Sequence, residues 1–226
     1  MRLQLFVLLS IVTILLSCEK NKEDIKPIRP NLPFPENIRH LVVKDIDTIF
    51  VQNGQNGFHL VGNDLNDIEY SVKQDTLFIA PVDDKPIKAL HLYSQKLKSL
   101  DISDSRICAI NLNQPTDSIR FDLKGIDSVK SNTNCKYNYG VMENVKGTFT
   151  GTSETYNITT SQNCTVNSKD YRSQFTYVFA WDSSRIYIGA GYYLSVIACH
   201  ESRVYFWETP QQELLSTCGN GQIIRM

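Results

Sequence analysis

Short runs of residues that favour β-strands recur about every ten positions over residues 38–226, and helical periodicity is almost absent there. Asn, Asp, Gly and Ser bound these runs. Several runs alternate strictly, as in residues 119–123, where every second residue is apolar. This alternation turns one face of a strand inward and the other toward solvent. The chain is therefore expected to form an all-β sandwich, barrel or solenoid.

Two central segments favour the solenoid. Residues 131–138 and 160–167 are poor in large apolar side chains, and each contains a polar run, Asn-Cys, two residues and Asn. Their cysteines, Cys135 and Cys164, are 29 positions apart. A sandwich needs large inward residues to fill a core about 10 Å thick, whereas stacked coils can place small side chains on their equivalents. The pattern predicts a parallel β-helix.

Several stretches resemble the head GIN domain family, which is associated with adhesins. Residues 47–51 and 72–79 resemble its opening strands, residues 97–105 an "L-x-x-L" coil, residues 194–206 its final coils and residues 218–223 its ending. The chain has fewer glycines in the central coils and more aromatic residues than the family pattern. The resemblance covers residues 40–226 and implies a right-handed parallel β-helix on a cell-surface or periplasmic lipoprotein, with no established reaction.

The N-terminal segment predicts an export signal. Residues 3–16 are almost wholly apolar and would span about 21 Å as a helix, less than the roughly 30 Å of a bilayer core. The run ends in Leu15-Leu16-Ser17-Cys18, which resembles a bacterial lipobox. We expect a signal peptide over residues 1–17 and lipidation of Cys18, which would anchor the protein to a membrane. An ordinary secretion signal with an accidental cysteine is the alternative.

A linker is expected over residues 18–37, followed by a single β-helix domain over residues 38–226. Lys22-Glu23-Asp24 resembles the export signal of Bacteroidetes surface lipoproteins, and four prolines follow within residues 25–37. Prolines at this density favour an extended spacer. The predicted location is the outer membrane, either exposed at the cell surface or facing the periplasm.

Charge and motifs argue against several functions. The chain has 23 basic and 24 acidic residues, a net charge of −1, so we expect no nucleic-acid partner. No nucleophile elbow, metalloprotease helix or phosphate-binding loop is present, and the four histidines are scattered singly. No catalytic residue, metal or cofactor is predicted. The alternative is a polysaccharide lyase or hydrolase that uses Asp101 and Asp104, although aspartates are equally common in turns.

Five cysteines remain once Cys18 is lipidated, so at least one of them is unpaired. Stacked coils could pair Cys135 with Cys164 and Cys199 with Cys218, while burial as free thiols is the alternative. The fifth cysteine is Cys108.

Aromatic residues are the best candidates for ligand contact. Four of them alternate over residues 175–181 and are expected to face the core. Tyr205 and Trp207 are instead predicted to bind a ligand, because the charged end after Trp207 indicates a surface position. We expect a non-catalytic binding or adhesion role with a glycan or protein ligand. An accessory role in envelope assembly or signalling is a third hypothesis.

Overall fold

The computed structural model describes residues 32–83 and 85–226. The signal peptide, Cys18 and most of the predicted linker lie outside these residues. The described chain forms fifteen strands and one short 3₁₀ turn, Leu65–Asp67. The strands are β1 Leu32–Pro33, β2 His40–Lys44, β3 Ile46–Asn53, β4 Gly57–Val61, β5 Ile68–Lys73, β6 Thr76–Pro81, β7 Ile87–Ser94, β8 Ser99–Ser161, β9 Thr165–Ser168, β10 Tyr171–Ala180, β11 Arg185–Gly189, β12 Tyr193–His200, β13 Arg203–Trp207, β14 Gln212–Gly219 and β15 Gln222–Arg225.

The strands stack as parallel coils. One series of neighbours runs β6, β2, β8, β10, β12 and β14, and a second runs β7, β3, β8, β9, β11, β13 and β15. From β8 onward, paired residues in successive coils are 18 to 20 positions apart, as in Phe175 with Tyr193 and Tyr171 with Gly151. The long element β8 belongs to both series and covers about three coils at this length. The predicted parallel β-solenoid is confirmed.

Inward side chains alternate with outward ones along most strands of the solenoid. In β10, the buried residues are Tyr171, Thr176, Val178 and Ala180. The prediction that the aromatic residues of positions 175–181 face the core is wrong: they point outward, and Trp181 is 40% exposed. The interior also holds large rings, since Tyr171 and Phe206 are buried. The alternation of each strand, rather than ring size, therefore decides which aromatic residues face outward.

One corner of the solenoid is marked by residues with a positive φ. Asp104, Asn144, Asp182 and His200 have φ between 53° and 58° there. The complete series is Asp45, Asp104, Gly125, Asn144, Gln162, Asp182, His200 and Gly219. From Asp104 onward its members are 18 to 21 residues apart, the length of one coil. Asn, Asp and Gly tolerate this conformation best, so the corner explains Asp104 as a turn residue.

The coil length corrects the 29-residue repeat. Residues 29 positions apart are about one and a half coils apart, so Cys135 and Cys164 do not lie on equivalent positions. Both are free and buried, as is Cys108. The Cys164 thiol instead contacts the Val145 N–H, 3.4 Å away in the preceding coil. Of the two alternatives that the sequence left open for Cys135 and Cys164, the structure thus shows free buried thiols and no disulfide.

The second pairing that the sequence left open is formed. Cys199 and Cys218 are register partners on β12 and β14, and they form a disulfide with their Cα atoms 4.5 Å apart. A residue stacked on its equivalent one coil away is close enough to be bridged.

The N-terminal end departs from a simple parallel solenoid. Strands β2 and β3 form one coil, and β6 and β7 form the next coil in the sequence. In space, the β2–β3 coil lies in the middle, with the β6–β7 coil on one side and the first coil of β8 on the other. Strands β4 and β5 then pair antiparallel with β7 and β6, and β1 pairs antiparallel with β4. These strands cover an edge that would otherwise be open. Because Leu32–Pro33 forms β1 and Phe34 is buried, packing begins before residue 38.

Candidate functional site

Tyr187, Tyr205 and Trp207 form an aromatic cluster on the outer face of β11 and β13. The rings of Tyr187 and Tyr205 are stacked, with their centroids 4.9 Å apart and their planes inclined by 8°. The Trp207 ring lies 6.2 Å from Tyr187. All three side chains are half-buried. The structure thus brings the two predicted ligand-binding residues, Tyr205 and Trp207, together with a third ring.

Strand alternation and parallel register place these rings. Ile186 and Ile188 of β11 and Val204 and Phe206 of β13 point into the core, which turns the residues between them outward. The register pairs Tyr187 directly with Tyr205. Identical rings on adjacent strands therefore stack along the solenoid axis.

A glycine makes room for a cation beside Trp207. Gly189 is the register partner of Trp207, so no side chain occupies the position next to the indole ring. The Lys169 ammonium reaches across to lie 4.7 Å from the ring centroid of Trp207. This is a cation–π contact, and it holds a positive charge at the edge of the aromatic cluster.

Two arginines lie on the same outer face. Arg185 and Arg203 are register partners, both are exposed, and each precedes a tyrosine of the cluster by two residues. They line a cleft of about 380 Å³ together with Ser183, Glu201, Asn220 and Gln222. Same-face neighbours two residues apart on a strand are about 7 Å apart, so the arginines and the rings form one continuous surface.

The sequence did not single out Tyr187 from the other aromatic residues of the later strands, and Lys169 and the two arginines were not predicted. A signal for three of these four residues is present. Residues 184–187 read Ser-Arg-Ile-Tyr and residues 202–205 read Ser-Arg-Val-Tyr, 18 positions apart. This 18-residue repeat has the length of one coil, whereas the 29-residue spacing of Cys135 and Cys164 does not.

A second aromatic surface lies on the other series of strands. The Tyr193 ring is 5.5 Å from Tyr177 and 6.4 Å from Phe175, and Leu214 on β14 is exposed beside them. The outward positions of β10, β12 and β14 carry no charged side chain over residues 175–179, 193–197 and 212–216. This surface therefore differs in chemistry from the Tyr187 cluster.

A shallow apolar groove lies near the N-terminal end. It has a volume of about 430 Å³, and its lining includes Phe50, Ala109, Ile110, Lys130 and Thr148. The Phe50 ring stacks on His91, with centroids 4.4 Å apart. Burial of the imidazole and the nearby His59 lower the pKa of His91.

The carboxylates of the enzyme alternative occupy different structural roles. Asp104 is a corner residue, whereas Asp101 lies on the outer face of β8 as the register partner of Val42. Burial, and secondarily the nearby Asp122 carboxylate, raise the pKa of Asp101, while Lys44 lowers it. Asp122 itself accepts two hydrogen bonds from Arg120, of 2.7 and 2.9 Å.

Other reactive groups in the described residues are isolated or buried. No three His, Cys, Asp or Glu side chains of residues 32–83 and 85–226 lie together in a way that could hold a metal ion. Burial raises the pKa of Cys108 to about 12 and that of Cys135 to about 11. Within the same residues, no helix is long and apolar enough to cross a membrane.

Comparison with solved structures shows the same fold. A protein from Bacteroides fragilis named "putative adhesin" superposes with a TM-score of 0.71 at 14% identity, over 84% of this chain and 94% of that one. A "putative lipid binding protein" from Parabacteroides distasonis superposes with a TM-score of 0.57 at 12% identity, over 84% and 94%. No family model matches the chain, and no curated protein is significantly similar to it. At these identities the likeness concerns the fold alone.

Proposed function

We propose that this protein is a non-catalytic binding protein of the bacterial envelope, with an adhesive role, and that its site is the Tyr187–Tyr205–Trp207 cluster. The observation that carries the proposal is the stacked, half-exposed pair of tyrosine rings beside Trp207. Aromatic rings held rigidly on a strand face are suited to stacking against the apolar faces of sugar rings. The ligand proposed is therefore a polysaccharide.

The proposed setting is the outer membrane, through a lipid on Cys18. The lipobox-like sequence before Cys18 supports this anchor, and two acyl chains or more hold a protein stably on a membrane. The name of the Bacteroides fragilis neighbour is consistent with an adhesive role at the cell surface. Membership of the head GIN domain family remains part of this proposal.

Polysaccharide retention by alanine variants tests the proposed site. Full-length protein in detergent is passed over immobilised polysaccharides, and retention and new chain ends are both measured. Tyr205→Ala and Trp207→Ala are each expected to reduce affinity about 5- to 30-fold, since each removes a stacking ring worth about 1–2 kcal/mol. Trp181→Ala is the matched control, because Trp181 is exposed on the solenoid but lies outside the cluster.

The outcomes separate the hypotheses. An equal loss in Trp181→Ala would move the site to the β10–β12 surface. New chain ends would favour the enzyme alternative and direct mutation to Asp101 and Asp104. If the protein is not retained on any polysaccharide and cleaves none, the proposal is contradicted. An accessory protein with a protein partner would then be favoured.

Lipid binding is a second candidate function. The groove beside Phe50 is largely apolar and has Lys130 in its lining, which suits an acyl chain with an anionic end group. The "putative lipid binding protein" neighbour gives this candidate additional support. The test measures binding of a fluorescent fatty acid to the wild type and to Ala109→Trp, whose indole would fill the groove. Loss of binding in the variant would support lipid binding in this groove. Binding that is unchanged in this variant would exclude the groove.

A further inference from the structure

The charged residues around the aromatic cluster bear on the kind of polysaccharide that it would bind. Arg185 and Arg203 are direct register partners on adjacent parallel strands, whose backbones are about 4.8 Å apart. Like charges placed directly opposite each other destabilise a sheet. Among the described residues, neither guanidinium forms an ion pair with a carboxylate.

The other exposed arginines show how unusual this pair is. Arg106, Arg120, Arg172 and Arg225 each pair with a carboxylate of the described chain. Glu201 is the one acidic residue lining the cleft of Arg185 and Arg203, and it lies beyond ion-pair distance of both. The cleft therefore presents two adjacent guanidinium groups without a neutralising partner.

Further positive charge lies on the same face. Lys146 is aligned with Thr165, and Thr165 with Arg185, so Lys146, Arg185 and Arg203 belong to one column along the solenoid axis. Lys169 lies on the other side of the rings, over Trp207. The stacked tyrosines thus lie between two sources of positive charge.

We propose that the ligand is an acidic polysaccharide, in which a carboxylate or sulfate group bridges Arg185 and Arg203 while a sugar ring stacks on Tyr187 and Tyr205. This inference rests on the proposed function and specifies its ligand class. A guanidinium offers planar, paired donors to the oxygens of carboxylate and sulfate. An anion between the two arginines would also relieve their mutual repulsion.

The test compares acidic and neutral forms of one polymer. Full-length protein in detergent is bound to polygalacturonate and to the same polymer after complete methyl esterification. We expect at least 10-fold tighter binding to the acidic form, and this difference should shrink as NaCl is raised. Chondroitin sulfate and its desulfated form make a second pair. A loss on esterification identifies a carboxylate ligand, a loss on desulfation a sulfate ligand, and either supports the proposal.

The matched variants separate site from net charge. Arg185→Gln combined with Arg203→Gln is expected to lower affinity for the acidic polymer at least 10-fold, to that for the ester. Thermal stability should be unchanged or higher, because the variant removes a repulsion. Arg120→Gln combined with Lys124→Gln removes the same charge elsewhere and should leave affinity unchanged.

Contrary results are distinguishable. Equal binding to acid and ester that depends on Trp207 but not on the arginines would overturn this inference and leave the proposed function intact. No dependence on Trp207 for any polysaccharide would remove both. Equal retention on single-stranded DNA would overturn it too, as it would indicate general polyanion binding.

Discussion

At the scale of single residues, the backbone of the solenoid decides which side chains are tolerated. Most positive-φ corner positions carry Asp, Asn or Gly, but His200 and Gln162 also occupy them. Gly151 is stricter. It has a φ of 121°, and a Cβ there would lie 2.1 Å from the Thr133 carbonyl oxygen of the preceding coil. The obstacle is backbone, so it cannot move aside as a side chain would.

We expect Gly151→Ala to lower the free energy of unfolding by about 2–4 kcal/mol, because it adds both backbone strain and overpacking. Urea denaturation would measure this loss. Gly54→Ala is the control, since the atoms nearest to its Cβ would belong to the Tyr93 side chain, the first at 3.1 Å. It should change stability by less than about 1 kcal/mol. Equal effects of the two substitutions would contradict the argument.

At the scale of elements, the strands in the middle of the solenoid pair with a neighbour on both sides, whereas β14 and β15 of the last described coil pair on one side only. Among the described strands β14 pairs only with β12, and all eight of its residues are exposed. The Cys199–Cys218 disulfide joins these two strands. The covalent bond thus compensates for the missing neighbour.

Reduction of this disulfide is expected to release β14 locally. The bridge closes a separation of 19 residues, for which loop entropy predicts a stabilisation of roughly 3 kcal/mol. Hydrogen exchange with and without reductant should show faster exchange in residues 212–219. Residues 171–180 of β10, paired on both sides, serve as the internal control. Equal acceleration in both segments would indicate global rather than local loosening.

At the scale of the whole molecule, a solenoid must end its core at both ends. The antiparallel strands β1, β4 and β5 cover the N-terminal end. In the last described coil, Glu213 and Arg225 are register partners of the buried residues Leu194 and Phe206. They pair with each other, and the Arg225 guanidinium lies 5.1 Å from the Phe206 ring centroid. This charge lies where another coil would need apolar residues.

Glu213→Leu combined with Arg225→Leu is therefore expected to promote self-association through this end. Sedimentation velocity should show larger species than the wild type at equal protein concentration. Arg172→Leu combined with Glu208→Leu also removes an exposed ion pair, with a 2.6 Å contact on the side of the solenoid. This control should sediment as the wild type does. Equal association of both variants would point to general surface hydrophobicity.

The limits of sequence reasoning followed from the coil length. Strand alternation was readable, and so was the bridging of Cys199 to Cys218, because their spacing happens to match one coil. The local likeness around Cys135 and Cys164 has a spacing of 29 residues, which does not match one coil. The aromatic residues of positions 175–181 were placed on the wrong face because alternation identifies two faces without stating which is inside.

The sequence by itself determined that the chain is all-β and forms stacked coils, since period-two patterns and turn residues are local properties. It also identified Tyr205 and Trp207 as ligand-binding candidates. The tertiary structure alone decided the register between coils. That register stacks Tyr187 on Tyr205, sets Arg185 beside Arg203 and brings Lys169 to Trp207. Such contacts join residues one coil or more apart, and their alignment depends on the length of every intervening corner.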